Sequence, residues 1–340
     1  MKKNLKEIEA PKLPPVEVPL PWQTSQWQQL CSLFEGGSMP HAQILCGAQG
    51  LGKQEFAFAL GLFMFCTAKV ADKACRSCRN CHLIQTQVHP DFLRIAPEKP
   101  GSAIKIDDIR ALDEFTNRTS ESAIAKVVVI ENAESMNRNA ANALLKSLEE
   151  PPAGTYFLLV TSREMQLPIT VRSRCQLVRF ITPHQSVGLK WLESRTDARE
   201  NWELPMLLAA DAPLAAELLM LPTSRSKYSS FFAAFEALSC GRSNVVHEAK
   251  GLSDLELPQL LTWVSSWIAN LVRAINIPDE KAMKIGYPAL EASTQALPMV
   301  DLLQFQGAVQ RAFSDSRAVS NINKQLILED LLMNWQRITR

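Results

Sequence analysis

The run Gly47-Ala-Gln-Gly-Leu-Gly-Lys53 limits what this chain can become more than any other segment. Ahead of it, His41-Ala-Gln-Ile-Leu-Cys46 reads as a buried strand; behind it, Lys53 to about Thr67 reads as a helix. A strand, a glycine turn and a helix in that order aim backbone N–H groups and a helix N-terminus at one point, an arrangement that cradles phosphate. Gly47, Gly50 and Gly52 supply the turn, and Lys53 can reach a terminal phosphate. The spacing Gly47-x4-Gly52-Lys53 is that of a P-loop, but the next residue departs from it. A working loop places Ser or Thr there to ligate Mg²⁺, whereas Gln54 offers an amide oxygen on a longer arm, a poor ligand in an octahedral site. The loop therefore predicts a weak or vestigial phosphate site, with productive ATP binding the disfavoured reading.

The β-branched run Lys126-Val-Val-Val-Ile130 reads as a central strand. In a nucleotide-hydrolysing site such a strand ends in an acidic pair that holds Mg²⁺ and polarises water. Here it ends in Glu131-Asn132-Ala133-Glu134, with an amide where the base would stand. Glu131 and Glu134 read equally as solvated surface acids. Two independent departures in one site argue against hydrolysis.

The cysteines carry the second strong pattern. Cys66-x8-Cys75-x2-Cys78-x2-Cys81 forms a cluster, while Cys31, Cys46, Cys175 and Cys240 are scattered. Four thiolates at this spacing suit a closed tetrahedral Zn²⁺ site with a structural role. His82 could replace one ligand, with a bystander the favoured reading, and a redox pair is the competing reading of the cluster. Lys73, Arg76 and Arg79 decorate the knuckle; they could touch nucleic acid, with a solvated face the favoured reading.

Around these motifs lie a strand at Asp91–Ile95, a helix at Ile106–Asn117, a helix at Asn137–Glu150 stopped by Pro151-Pro152, and a strand at Thr155–Val160. Strands alternating with helices predict a parallel, doubly wound sheet. Residues 1–20, rich in proline, read as a tail, followed by a short helix with Trp22, Trp27 and Leu30 on one side. From about 184 onward Ala, Leu and Glu recur at helical spacing. A small helical domain is expected at 184–224 and a larger one at 225–340, with a hinge near Leu221-Pro-Thr-Ser-Arg-Ser.

The 340 residues are enough for two or three domains, and 46% hydrophobic content suits a globular protein. Lys and Arg total 36 against 35 for Asp and Glu, a net charge of +1, so no global field draws the chain to DNA. The longest apolar stretch, around Phe56 to Phe65, is too short to span a bilayer, and the first residues lack a signal-peptide pattern. A cytoplasmic protein with no membrane partner is expected.

Three further segments, Asn142-Ala-Leu-Leu-Lys-Ser-Leu-Glu-Glu-Pro-Pro152, Phe157-Leu-Leu-Val-Thr161 and Arg172-Ser-Arg-Cys175, resemble the clamp-loader branch of the AAA+ ATPases. The cysteine knuckle behind the P-loop helix is similar to bacterial DNA polymerase III clamp-loader subunits. His89-Pro-Asp-Phe92 and Ala96-Pro-Glu-Lys99 look like the delta prime branch. The resemblance runs from about Pro21 to Cys175; beyond that it rests on size and helical character.

It implies an AAA+ domain at 21–183 with a zinc knuckle at 66–82, a helical lid at 184–224 and an oligomerising collar at 225–340. It also implies a hetero-pentamer with gamma or tau ATPase subunits and a delta subunit, which loads a sliding clamp on primed DNA. The delta prime branch is its non-hydrolysing member. By matching position, Arg174 is an arginine finger reaching in trans into the neighbouring ATPase site. Thr161 stands at the sensor position of the first domain, and Ala209-Ala-Asp-Ala-Pro213-Leu-Ala lacks the sensor arginine of ATPase relatives. Asn137, Arg138 and Lys146 would face the DNA chamber, making phosphate contacts only. Two alternatives remain: a self-sufficient ATPase of the same branch, which Gln54 and Asn132 argue against, and a zinc-dependent nucleic-acid-binding module on an AAA+ scaffold.

Overall fold

The computed structural model describes residues 16–99, 102–118, 120, 124–195, 201–276, 285, 287–295, 297–318 and 323–339. These divide into two compact units, with the break between Pro183 and His184. In the first unit the elements run α1 (Thr24–Glu35), β1 (Ala42–Cys46), α2 (Lys53–Phe65), α3 (Arg79–Gln85), β2 (Phe92–Ile95), α4 (Ile106–Asn117), β3 (Lys126–Ile130), α5 (Arg138–Glu149), β4 (Thr155–Thr161), α6 (Ile169–Arg172) and β5 (Gln176–Arg179).

The five strands form one parallel sheet in the order β2-β3-β4-β1-β5. Alternation along each strand sorts the side chains into two layers. Ala42, Ile44, Val128, Ile130, Phe157 and Leu159 face a core completed by Ile109 and Leu112 of α4 and Ala140, Ala141, Leu144 and Leu148 of α5. Leu45, Val127, Val129, Leu158 and Val160 are buried as well. Burial on both faces explains why these strands read as continuous apolar runs. Helix α2 packs on β1, β3 and β4, and ten of its thirteen residues are buried. Trp27 of α1 meets Phe56 and Phe63 of α2 edge to face, at 5.3 and 6.0 Å between ring centroids.

Three observations differ from the sequence expectation. The fifth strand, β5, lies at the edge beside β1; of its four residues Val178 alone is buried, so its apolar signal is faint. Val18 and Leu20, inside the expected tail, are buried at 5% and 0% exposure; residues 1–15 lie outside the described residues. Leu221 and Pro222 are the N-cap and first residue of an 18-residue helix rather than a hinge loop, a place where the fixed φ of proline suits helix initiation.

The second unit is helical in its described residues: α7 (Gln185–Arg195), α8 (Glu203–Leu208), α9 (Pro213–Leu219), α10 (Pro222–Ser239), α11 (Val245–Gly251), α12 (Leu257–Asn276), α13 (Pro288–Gln295), α14 (Met299–Ala318) and α15 (Lys324–Thr339). Leu257, Leu260, Leu261, Val264, Trp267, Ile268 and Leu271 make the buried stripe of α12 at helical spacing. Trp267 lies 5.0 Å from Trp335, which also meets Phe235 and Phe305. The Trp335 indole donates to Ser239 Oγ at 3.0 Å. Leu207, Leu208 and Leu219 belong to this same core, so it passes through residue 224 without a break. A smaller cluster of Leu192, Trp202, Met206 and Ala216 sits beside the buried Arg195–Glu217 ion pair that ties α7 to α9.

Candidate functional site

Strand β1 delivers the glycine loop at its C-terminal end, where parallel α/β sheets bind ligands. Gly50 and Gly52 have φ of +82° and +78°, conformations that L side chains adopt at a cost. At Gly47 a Cβ would stand 2.4 Å from the Phe180 carbonyl oxygen, so only glycine fits. The segment ahead of α1 fastens this loop from outside. Trp22 Nε1 and Gln23 Nε2 donate to Leu51 O at 3.0 and 2.8 Å, and Gln23 Nε2 also reaches Gly52 O at 2.9 Å.

Lys53, the first residue of α2, is 5% exposed and turns back into its own loop. Its ammonium donates to Ala48 O at 2.6 Å and to Ser162 Oγ at 3.3 Å. Burial lowers its pKa to about 8, against an opposing pull from Glu134. Between about pH 8 and the unfolded value of 10.5 the unfolded chain therefore holds the proton that the folded chain has lost. This lysine makes stability rise with pH across that window. In Lys53→Met, that rise should be missing from melting curves recorded between pH 8 and 10.5.

The acidic end of β3 is occupied by other work. Glu131 is 6% exposed, and its two oxygens accept from Arg94 Nε at 2.5 Å and Arg94 Nη2 at 3.0 Å. It is not the solvated acid that its sequence context allowed, and its lone pairs are committed to a guanidinium. Asn132 takes the left-handed conformation at φ +49°, which asparagine tolerates better than most residues. Glu134 accepts the Ser162 backbone N–H at 3.1 Å, and its other oxygen is buried without a hydrogen-bond partner among the described residues. Removing the guanidinium with Arg94→Met would strand a buried carboxylate. Because Arg94 is 38% exposed, the expected loss is about 1–2 kcal/mol, below the range for a fully buried pair. Urea unfolding measures it; an unchanged midpoint would contradict it.

Ser162 and Arg94 escaped the sequence reading. Arg94 had a signal, a charge inside a four-residue apolar strand; Ser162 had none. Thr161, at the expected sensor position, is buried and its Oγ1 accepts the Arg163 N–H at 3.0 Å. Asn137 is the N-cap of α5, its Oδ1 accepting from Ala140 N at 2.8 Å, while Arg138 and Lys146 are exposed.

Arg174 lies between α6 and β5. Cys175 beside it packs into the core, and burial pushes its thiol up to about 12. The neighbouring arginine consequently points outward, 35% exposed. Its guanidinium donates to Thr170 O at 2.8 Å and to Ser173 Oγ at 3.3 Å, and pairs with Glu149 Oε1 at 2.5 Å. His41, Leu148, Glu149, Ser173 and Arg174 line an open cleft of about 460 Å³.

The knuckle is built from helix ends. Cys66 caps α2, Cys78 is the N-cap of α3 and Cys81 lies in its first turn. Cys66, Cys75, Cys78 and Cys81 bring their sulfurs within 4.8 Å of one another. A tetrahedral zinc with bonds of 2.3 Å spaces its sulfurs about 3.8 Å apart. The Cys75 and Cys78 N–H groups point at Cys66 Sγ and Cys75 Sγ, at 3.2 and 3.3 Å, as suits sulfurs carrying negative charge. The four cysteines could hold a metal ion; His82 is exposed and outside the cluster.

The family described as "DNA polymerase III, delta subunit" matches residues 22–184, and "DNA polymerase III, delta subunit, C terminal" matches residues 223–337. DNA polymerase III subunit delta' of Pseudomonas aeruginosa is 30% identical over 329 residues, 93% of this chain and 96% of that protein. The Escherichia coli subunit of the same name is 29% identical, over 92% and 94% of the two chains. Among solved structures, a DNA polymerase III gamma subunit-related protein from Thermotoga maritima covers 93% of this chain and all of its own, at 20% identity and a TM-score of 0.44. With family matches on both units and relatives spanning nearly its whole length, the chain belongs to the DNA polymerase III delta prime subunit family.

Proposed function

We propose that the chain is the non-hydrolysing delta prime member of a DNA polymerase III clamp loader. In that role it assembles with gamma or tau ATPase subunits and a delta subunit, helps place the sliding clamp on primed DNA, and supplies Arg174 in trans to the adjacent nucleotide. One observation carries the non-hydrolysing part: Glu131, the acid at the end of β3, is locked to Arg94. A carboxylate held that way is a poor metal ligand, and the loop already lacks the Ser or Thr that would complete Mg²⁺ coordination. Lys53 bonds to its own loop, which further supports a vestigial phosphate site.

The trans reading is supported by family membership together with the outward placement of Arg174. A guanidinium on a projecting turn can neutralise charge developing on a transferring phosphoryl group. Zn²⁺ is the ion we assign to the four cysteines. Closed fourfold thiolate coordination leaves no open position, so its role is structural. The helical second unit contributes a lid (184–224) and a collar (225–340) that share one hydrophobic core across residue 224, the latter joining the subunits. The near-zero net charge fits a subunit that meets DNA within an assembly rather than alone.

The purified isolated chain is expected to show no ATP turnover above background with Mg²⁺ present. Turnover that disappears in Lys53→Ala would instead establish the self-sufficient ATPase.

A further inference from the structure

We propose that Glu149 is a positioning residue for Arg174, holding the guanidinium back on its own subunit until a neighbour's phosphate competes for it. The inference rests on the trans reading above and adds a residue that the reading does not contain. Three observations carry it. Both terminal nitrogens of the guanidinium are engaged within this chain, Nη2 by Glu149 at 2.5 Å and Nη1 by Thr170 O at 2.8 Å and Ser173 Oγ at 3.3 Å. A finger that is to reach across an interface must first leave these partners.

The second observation is where the carboxylate sits. Glu149 is the last residue of α5, next to carbonyls that already carry partial negative charge. An anion there is unfavourable by itself, so the cation of Arg174 relieves it, and departure of the arginine restores the repulsion. Third, both ends of the contact are anchored. His41 Nε2 lies 3.0 Å from Leu148 O, fixing the end of α5 to the entrance of β1, while Cys175 packs into the core beside Arg174. The backbone that carries the carboxylate therefore stays in place while the arginine leaves, which is what a restoring contact requires. A γ-phosphate carries more charge than one carboxylate and offers a matching bidentate surface, so it wins the arginine when it comes within reach. With the neighbouring site empty or open, Glu149 keeps it.

The isolated chain tests the restraint without any partner. Modification of Arg174 by phenylglyoxal, followed by peptide mapping, should run about 1.5- to 5-fold faster in Glu149→Gln than in wild type, the range set by a half-exposed ion pair. Glu149→Asp, which keeps the charge but shortens its reach, should behave the same way. Glu149 is half-exposed at a helix end, so neither variant threatens the fold. An unchanged modification rate in both variants would overturn the proposal.

The reconstituted complex tests the consequence. Glu149→Gln should raise ATP turnover without clamp and DNA by about the same factor and leave stimulated turnover nearly unchanged, so the stimulation ratio falls. Unchanged or lower basal turnover would overturn the regulatory role. Arg174→Ala separates the two levels. If it leaves stimulated turnover intact, the trans reading itself fails and takes the regulatory role with it, whatever the modification rates show about the restraint.

Discussion

Stripping the proposed zinc with a chelator, or replacing Cys78 by Ser, is expected to lower the melting temperature by on the order of 10 °C. The physical reason lies in how little else orders the knuckle. Between Thr67 and Asn80 no side chain is buried, whereas Cys66 and Cys81 at its two ends are. Backbone held by so few apolar contacts needs a cross-link to offset its conformational entropy. Structural zinc supplies about 10–16 kcal/mol in small peptides. Only part of that couples to global unfolding here, since α2 and the sheet form a core of their own.

The coupled part passes through specific contacts. Asn80 Nδ2 caps the end of α2 through Phe65 O at 2.9 Å, and Trp27 Nε1 reaches Asp72 O at 2.9 Å. Loss of about 3–4 kcal/mol through these links would move the midpoint of a domain this size by roughly 10 °C. Metal analysis of the purified protein should find one zinc per chain. An unchanged melting curve with no bound metal would refute the assignment. The ATP turnover of a complex carrying the Cys78→Ser chain should survive below its new melting point, because the cysteines are not part of the nucleotide chemistry.

The two devices that were plain in the sequence, the glycine loop and the cysteine cluster, are local: each is encoded in one contiguous segment with fixed spacing. Strands β1, β3 and β4 were legible for a related reason, since burial on both faces leaves apolar runs such as Lys126–Ile130, while β2, at the other edge, showed through Phe92, Leu93 and Ile95. The strand that was missed, Gln176–Arg179, is an edge strand with exposed Gln176 and Arg179 and no such run. What the sequence hid in the site is nonlocal. Arg94 and Glu131 are 37 residues apart, Lys53 and Ser162 are 109 apart, and Arg174 meets Glu149 only because α6 folds back on the end of α5. Glu131 read equally as a site acid and as a surface acid because its partner comes from another strand. The fastening of the loop by Trp22 and Gln23 was hidden for the same reason.

The second large effect is on a neighbour's chemistry. Arg174→Ala removes a fork-shaped cation that no other side chain in its cleft replaces; His41, Leu148, Glu149 and Ser173 offer at most an imidazole. Arginine fingers contribute about 10³–10⁵ to turnover at the site they complete. On the trans reading, the neighbouring site should therefore fall silent, and the complex should lose that site's whole share of ATP turnover. Arg174→Lys should be almost as defective, because an ammonium carries the charge without the planar pair of donors. Folding should be untouched, since the ion pair with Glu149 is half-exposed and contributes little to stability.

The most direct test of this division of labour is clamp- and DNA-stimulated ATP turnover of the reconstituted complex, comparing wild type with Arg174→Ala in this chain and checking assembly by gel filtration. A large loss with assembly intact is the predicted result, and it would place the chemistry of a chain with a degenerate loop inside its neighbour's site. Full turnover in the variant complex would contradict the account and leave the chain an architectural subunit.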